Sequence, residues 1–159
     1  MLNYQRGNIN SIVVKIIKLG FISILAFAIL ITIFSLFIPS YIRISKVTDI
    51  TADKEQIMDQ IKDTANWKNW YPGADSVQVK SEISDITDSS LVINRKGRSE
   101  SGFIFHDSGL AGTTTVQWYM DVHLRWYPWE KFSSLLLEKR YGPLMEKGLE
   151  SLKKHFVSK

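Results

Sequence analysis

Twenty consecutive positions, 19–38, carry no charged side chain, and no later stretch of the chain repeats that pattern. At about 1.5 Å per residue a helix of this length spans about 30 Å, the thickness of a bilayer's hydrocarbon core. Its polar members, Ser23, Thr32 and Ser35, have hydroxyls that can bond back to a helix carbonyl. A helix in a soluble core keeps a polar stripe, whereas this one is apolar all round. The pattern therefore predicts a basic tail over 1–18, a transmembrane helix over 19–38 and one domain over 39–159.

Beyond Pro39 the apolar positions recur at shorter periods. Residues 41–50 place Ile42, Ile44 and Ile50 on one parity and predict a strand, with Lys46 the odd member on the inward side. Asp53, three residues before Gln56, gives a capping-box-like start to a helix whose apolar face is Ile57, Met58, Ile61 and Ala65. That helix ends in the loop 67–73, where Pro72 and Gly73 forbid continuation. Four strand-like stretches follow, at 76–86, 91–95, 99–106 and 113–126, separated by turn residues at Asp88-Ser89-Ser90, Gly97 and Asp107-Ser108-Gly109 with Gly112. On the first, Val77, Val79 and Ile83 share a face. On the longest, Val116, Trp118, Met120, Val122 and Leu124 face one way, and Gln117, Tyr119, Asp121, His123 and Arg125 the other. A short helix is expected over 131–139 and a break at Gly142-Pro143, with Pro143 opening a new helix. Leu144, Met145, Leu149, Leu152 and Phe156 form the apolar face of that last helix.

Strand, helix, antiparallel meander and long C-terminal helix make an α+β fold. A sheet apolar on one face must be covered, and the last helix is the amphipathic element long enough to do it. A curved antiparallel sheet wrapped on that helix leaves a space between them where small apolar ligands bind.

Composition adds sidedness and removes several function classes. Arg6, Lys15 and Lys18 precede the apolar run with no acidic residue, while Arg43 and Lys46 follow it with Asp49 and Asp53. The positive-inside rule then favours a cytoplasmic N-terminus and a C-terminal domain on the outer, periplasmic or extracellular, face. The exit Leu36-Phe37-Ile38-Pro39-Ser40 has no small-residue cleavage pattern, which favours an uncleaved signal anchor. No cysteine is present, so a lipidated cysteine is excluded. Residues 39–159 hold 17 Lys plus Arg against 16 Asp plus Glu. The formal charge of +4 thus belongs mostly to the tail, where anionic headgroups would hold it, and no basic stripe points to nucleic acid.

The chain resembles the START-like or SRPBCC helix-grip superfamily, in particular its polyketide cyclase/dehydrase-like branch. The residues carrying the resemblance are Thr48-Asp49-Ile50-Thr51-Ala52-Asp53, Trp67-x-x-Trp70-Tyr71-Pro72-Gly73 and Val116-Gln117-Trp118. With them go Tyr127-Pro128-Trp129-Glu130-Lys131-Phe132, Tyr141-Gly142-Pro143 and Gly148-Leu149-x-x-Leu152-Lys153. The match runs from Tyr41 to Phe156. It implies a hydrophobic pocket between sheet and last helix, used for lipids, polyketides or other apolar small molecules, and it does not by itself imply catalysis. Four or five strands between Ser76 and Trp126, against the family's usual five or six, would shrink that pocket or open one end. The expected pocket residues are Trp70, Tyr71, Phe103, Phe105, Trp118, Met120, Val122, Met145, Leu149 and Leu152. Core filling is the commoner use of such side chains. The aromatic loops at Trp67-Trp70-Tyr71 and Trp126-Tyr127-Trp129 fit either the pocket mouth or the headgroup level of a membrane.

No catalytic constellation is visible. His106 and His123 fall on the outward parity, and His155 sits where a helix dipole favours a cation. Three His without a ligand-like spacing give no metal set, and neither a phosphate-binding glycine loop nor a nucleophile elbow occurs. No cofactor is expected. The expected partners are the lipid bilayer and an apolar ligand or lipid, with no nucleic acid and the oligomeric state open. Two other readings stand beside ligand binding. One is a cyclase or dehydratase using Glu100, His106 or Asp121 as acid/base on a membrane-partitioned substrate. The other is a domain whose pocket is filled and which acts as an interaction module.

Overall fold

A computed structural model describes residues 2–72, 82–94 and 97–157, with side chains from Ile12 onward except at Glu82, Ser84 and Asn94. Helix α1, Leu2–Leu36, runs on through the basic tail as well as the apolar run. Ile12, Val13, Val14, Ile16 and Ile17 carry the apolar pattern back on both sides of Lys15, so nothing stops the helix at residue 18. Its stretch Ile12–Leu36 is long and apolar enough to cross a membrane, and only 6% of that window is buried against the rest of the chain. A soluble core helix would be mostly buried.

Strand β1 (Tyr41–Ile50) follows after four linking residues, then helix α2 (Lys54–Lys62) and a 3-10 helix, Thr64–Asn69. The meander is β2 (Glu82–Ile86), β3 (Ser90–Asn94), β4 (Ser99–Asp107) and β5 (Thr114–His123). The chain ends in α3 (Pro128–Ser134) and α4 (Leu137–Val157). The five described strands form one antiparallel sheet in the order β1-β5-β4-β3-β2, so the first strand closes back beside the last. Gly97, Gly109 and Gly112 adopt positive φ in the turns expected there, a conformation that costs side-chain-bearing residues. The first meander strand was expected over 76–86; its residues 82–86 are strand, and Val77 and Val79 lie outside the described residues.

Three local expectations are corrected. Asp53 is the N-cap residue of α2, but its side chain makes no capping bond; the first turn is held by the Gln56 and Ile57 N–H groups on the Asp53 carbonyl. Strand β5 stops at His123, one residue before a last bond from the Leu124 N–H to the Ser40 carbonyl that ties its end to the start of β1. The break at Gly142-Pro143 does not occur, and α4 runs unbroken from Leu137 through Pro143. A proline inside a helix removes one backbone bond and crowds the preceding turn. Here tertiary contacts outweigh that penalty. Gly142, Met145, Gly148, Leu149 and Leu152 are buried on the sheet side, and Lys46 on β1 binds Glu138 and Glu146, one on each side of the proline, at 2.9 Å each.

The core lies between the concave face of the sheet, α2, the 3-10 helix and α4. Ile44, Phe103, Phe105, Val116, Trp118 and Met120 come from the sheet; Ile57, Met58 and Ile61 from α2; and Met145, Leu149 and Leu152 from α4.

Candidate functional site: the concave aromatic core

Alternation along β4 and β5 turns Ser101, Phe103, Phe105, Val116, Trp118 and Met120 toward α4. Phe103 and Trp118 face each other in register on neighbouring strands, and their rings stack at 5.1 Å. The segment after α2 supplies the other wall. Asp63 caps the 3-10 helix by accepting from the Ala65 N–H, and the Tyr71 N–H returns to the Trp67 carbonyl at 2.7 Å. This tight winding swings Trp67, Trp70 and Tyr71 inward. Trp70 meets Phe103 and Trp118 edge-on at 5.8 and 6.0 Å, and Tyr71 lies 5.5 Å from Trp118.

All ten expected pocket residues fall in this one region. Trp70, Phe103, Phe105, Trp118, Met120, Met145, Leu149 and Leu152 are buried in it, and Tyr71 and Val122 pack against it half-buried. The first aromatic loop is therefore neither an open mouth nor a headgroup contact, since Trp67 and Trp70 are buried in the core. The aromatic box closes directly on α4: a Cβ on Gly148 would lie 2.6 Å from Trp118 Cζ3 and 2.9 Å from Pro72 Cδ.

The three buried indole N–H groups have different fates. Trp67 Nε1 donates to the Ile61 carbonyl at 2.7 Å. Trp118 Nε1 donates to Ser101 Oγ at 2.9 Å, and Ser101 in turn donates to the Tyr119 carbonyl. Trp70 Nε1 is fully buried and has no hydrogen-bond acceptor among the described residues. Such an orphan donor costs on the order of 1–3 kcal/mol and calls for an explanation.

One charge enters the concave face. Lys46 is paired with Trp118 across β1 and β5, as its inward parity implied, and its stem passes Gly142 to bring Nζ between Glu138 and Glu146. The spacing 138–142–146 puts both carboxylates and the glycine on one helix face, and the two carboxylates raise the Lys46 pKa.

The candidate acid/base groups lie elsewhere. Glu100, His106 and Asp121 all point to the outer face of the sheet. Asp121 falls on the outward parity of its strand, yet it is only 6% exposed. Arg43 opposite it binds both of its oxygens, at 2.7 and 2.6 Å, and holds its pKa below the ordinary value. The same guanidinium lies 4.7 Å from the Tyr119 ring centre; that ring covers Gly102, and its hydroxyl donates to Glu100 at 3.2 Å. Burial and the Glu100 carboxylate push the Tyr119 pKa up to about 12. His106 Nε2 pairs with Gln117 Oε1 at 3.2 Å on the surface. Among the described residues no group of three His, Asp or Glu side chains could hold a metal ion.

Surface grooves lie elsewhere among the described residues. One of about 350 Å³ lies between Asp53-Lys54-Glu55 and the β4–β5 hairpin. Another of about 260 Å³ runs from α2 to Ile86-Thr87-Asp88. A third, about 490 Å³, is lined by Ser133, Leu136, Leu137, Lys139 and Arg140.

A curved antiparallel sheet closed on a long C-terminal helix is a helix-grip fold. The protein XoxI of Bacillus cereus is similar over 72% of this chain and 95% of its own, with a TM-score of 0.55 at 12% identity. An uncharacterised protein of Bacillus thuringiensis matches over 73% of this chain and 99% of its own, with a TM-score of 0.51 at 13% identity. The Zhui aromatase/cyclase of Streptomyces sp. R1128 matches over 74% and 94%, with a TM-score of 0.50 at 10% identity. At these identities the likeness establishes the fold alone. No family model and no curated protein sequence matches the chain.

Proposed function

We propose that this protein is a single-pass, membrane-anchored helix-grip domain that binds a hydrophobic small molecule or lipid without transforming it. The observation that carries the reading is the unpaired indole N–H of Trp70 inside an aromatic box. Apolar sites that take small molecules combine hydrophobic walls with a few placed polar groups. A ligand carrying one carbonyl or hydroxyl oxygen on an apolar body would satisfy that donor. The anchor rests on α1, which is exposed over nearly all of its apolar length, with Ser35 in its last turn buried. The Lys and Arg distribution favours the domain on the outer face. A tether of this kind keeps the core within a few residues of bilayer lipid. Native mass spectrometry of the full chain released from lipid nanodiscs tests the reading: a bound mass that extracts into organic solvent supports it, and a chain free of such mass argues against it.

A second reading, an interaction module with a filled pocket, is favoured by the contact of Trp118 and Pro72 with Gly148, which leaves no gap at the centre of the sheet–helix interface. The same experiment separates the two. A cyclase or dehydratase using Glu100, His106 or Asp121 finds little support, because all three lie on the outer face of the sheet.

A further inference from the structure

Helix α3 has two unlike faces. Lys131 and Ser134, one turn apart, are buried against the last turn of α1, where Ser35 is also fully buried. Lys131 Nζ donates to the Ile38 carbonyl at 2.6 Å and to Ser40 Oγ at 2.7 Å, so the amine sits on the link from α1 to β1, two residues past the end of α1. A cation at that end is favoured by the helix dipole. On the opposite side Trp129 and Phe132, three residues apart on α3, stand exposed, Trp129 by 70%, and Leu136 in the turn after the helix is exposed beside them. Trp126, 64% exposed, extends this surface through a stack in which Tyr127 lies 4.9 Å from both tryptophans. A solvated helix face carries polar residues, and a contiguous exposed apolar patch marks a contact surface.

We infer that this aromatic face is a second membrane contact, seated in the headgroup layer of the same bilayer that α1 enters. The inference rests on the membrane-anchor reading of α1. The depth follows from length: the 25 residues of Ile12–Leu36 span about 37 Å, whereas the hydrocarbon core is about 30 Å thick. The last turn of α1 therefore reaches the interface, and Lys131 holds α3 at that level. Trp and Tyr are the side chains favoured there, because the ring is apolar and the N–H or O–H meets water. The charges agree. Glu130, the acid on α3, is taken up by Arg98 at 3.3 Å and by the Arg125 N–H, while Lys139 and Arg140 line the groove beside Leu136 and match a lipid phosphate. The domain is thereby attached at two points, a span and an interfacial helix joined by Lys131, which fixes its tilt on the membrane.

The test uses the full chain in phosphatidylcholine vesicles whose acyl chains are brominated near the headgroup or deep in the core. Trp67, Trp70 and Trp118 are buried in the domain, so lipid quenching of tryptophan emission reports Trp126 and Trp129. Shallow bromines are expected to quench more than deep ones, and the double variant Trp126→Phe/Trp129→Phe should lose most of that quenching while melting at the wild-type temperature. Equal quenching of wild type and double variant overturns the inference, as does absence of quenching. Unquenched emission together with concentration-dependent cross-linking between copies would assign the face to self-association instead. A parallel alkaline carbonate wash separates the two levels: a chain retained in the pellet but unquenched keeps the anchor and loses the interfacial helix, and a chain released to the supernatant overturns both.

Discussion

Trp118 on β5 and Gly148 on α4 are in such close contact that a methyl group on the glycine would stand 2.6 Å from the indole. The indole has nowhere to retreat, because Phe103 stacks on it and Trp70 and Tyr71 press on its other sides. Glycine is therefore the residue that lets sheet and helix meet at this point.

Gly148→Ala should destabilise the domain although alanine is the better helix former by about 1 kcal/mol. Overpacking of this kind costs about 1–3 kcal/mol. Chemical denaturation of the two proteins checks it, and a more stable alanine variant would show that the interface is loose.

Lys46 binds carboxylates on both sides of Pro143. Lys46→Met keeps the apolar stem and removes the charge, so it should lower the melting temperature at low salt. The difference should shrink near 1 M salt, where charges are screened over about 3 Å. Thermal melts followed by circular dichroism at the two salt levels measure it.

The outer-face cluster titrates at both ends of the pH scale. Asp121 is held below its ordinary 3.8, so its contribution to stability is complete above that value and fades as pH falls below it. Tyr119 is pushed from 10.0 to about 12, so its contribution is complete below about pH 10 and fades as pH rises toward 12. Asp121→Asn should cost about 1–2 kcal/mol near neutral pH and progressively less as pH falls below 3.8, as Arg43 is nearly half exposed. In an ultraviolet titration, Tyr119→Phe should remove a tyrosinate step near pH 12.

Lys131→Met leaves the Ile38 carbonyl and the Ser40 hydroxyl without their shared donor. A loss of about 1–3 kcal/mol is expected at this buried site. A spin label on α3 should also become more mobile relative to α1. Unchanged mobility would mean that the joint is held by other contacts.

Much of the architecture could be read from periodicity. The parity of Ile42, Ile44 and Ile50, of Phe103 and Phe105, and of Trp118 and Met120 assigned the concave face, and the inward place of Lys46 was visible as the odd member of its strand. What local pattern cannot supply is register. Arg43 and Asp121 are 78 residues apart, and only the pairing of β1 with β5 turns an apparently solvated carboxylate into a buried ion-pair partner. The continuity of α4 through Pro143 likewise goes with contacts far away in sequence, from the sheet residues packed on Gly142, Met145 and Leu149 and from Lys46 on Glu138 and Glu146. The bond from Lys131 to the link after α1 leaves no local trace, since a lysine on a short amphipathic helix reads as solvated. The ten pocket candidates were placed by parity and by resemblance; whether they hold a ligand turns on Trp70, whose missing acceptor no sequence pattern reveals.

That residue also offers the most direct measurement. Native mass spectra of the full chain released from nanodiscs, wild type against Trp70→Phe, compare a core with its indole donor to one without it. The account predicts an apolar molecule bound to the wild type and about tenfold weaker retention in the variant, the loss of one buried hydrogen bond. A wild-type chain that carries no such molecule, or a variant that retains it equally well, would contradict it.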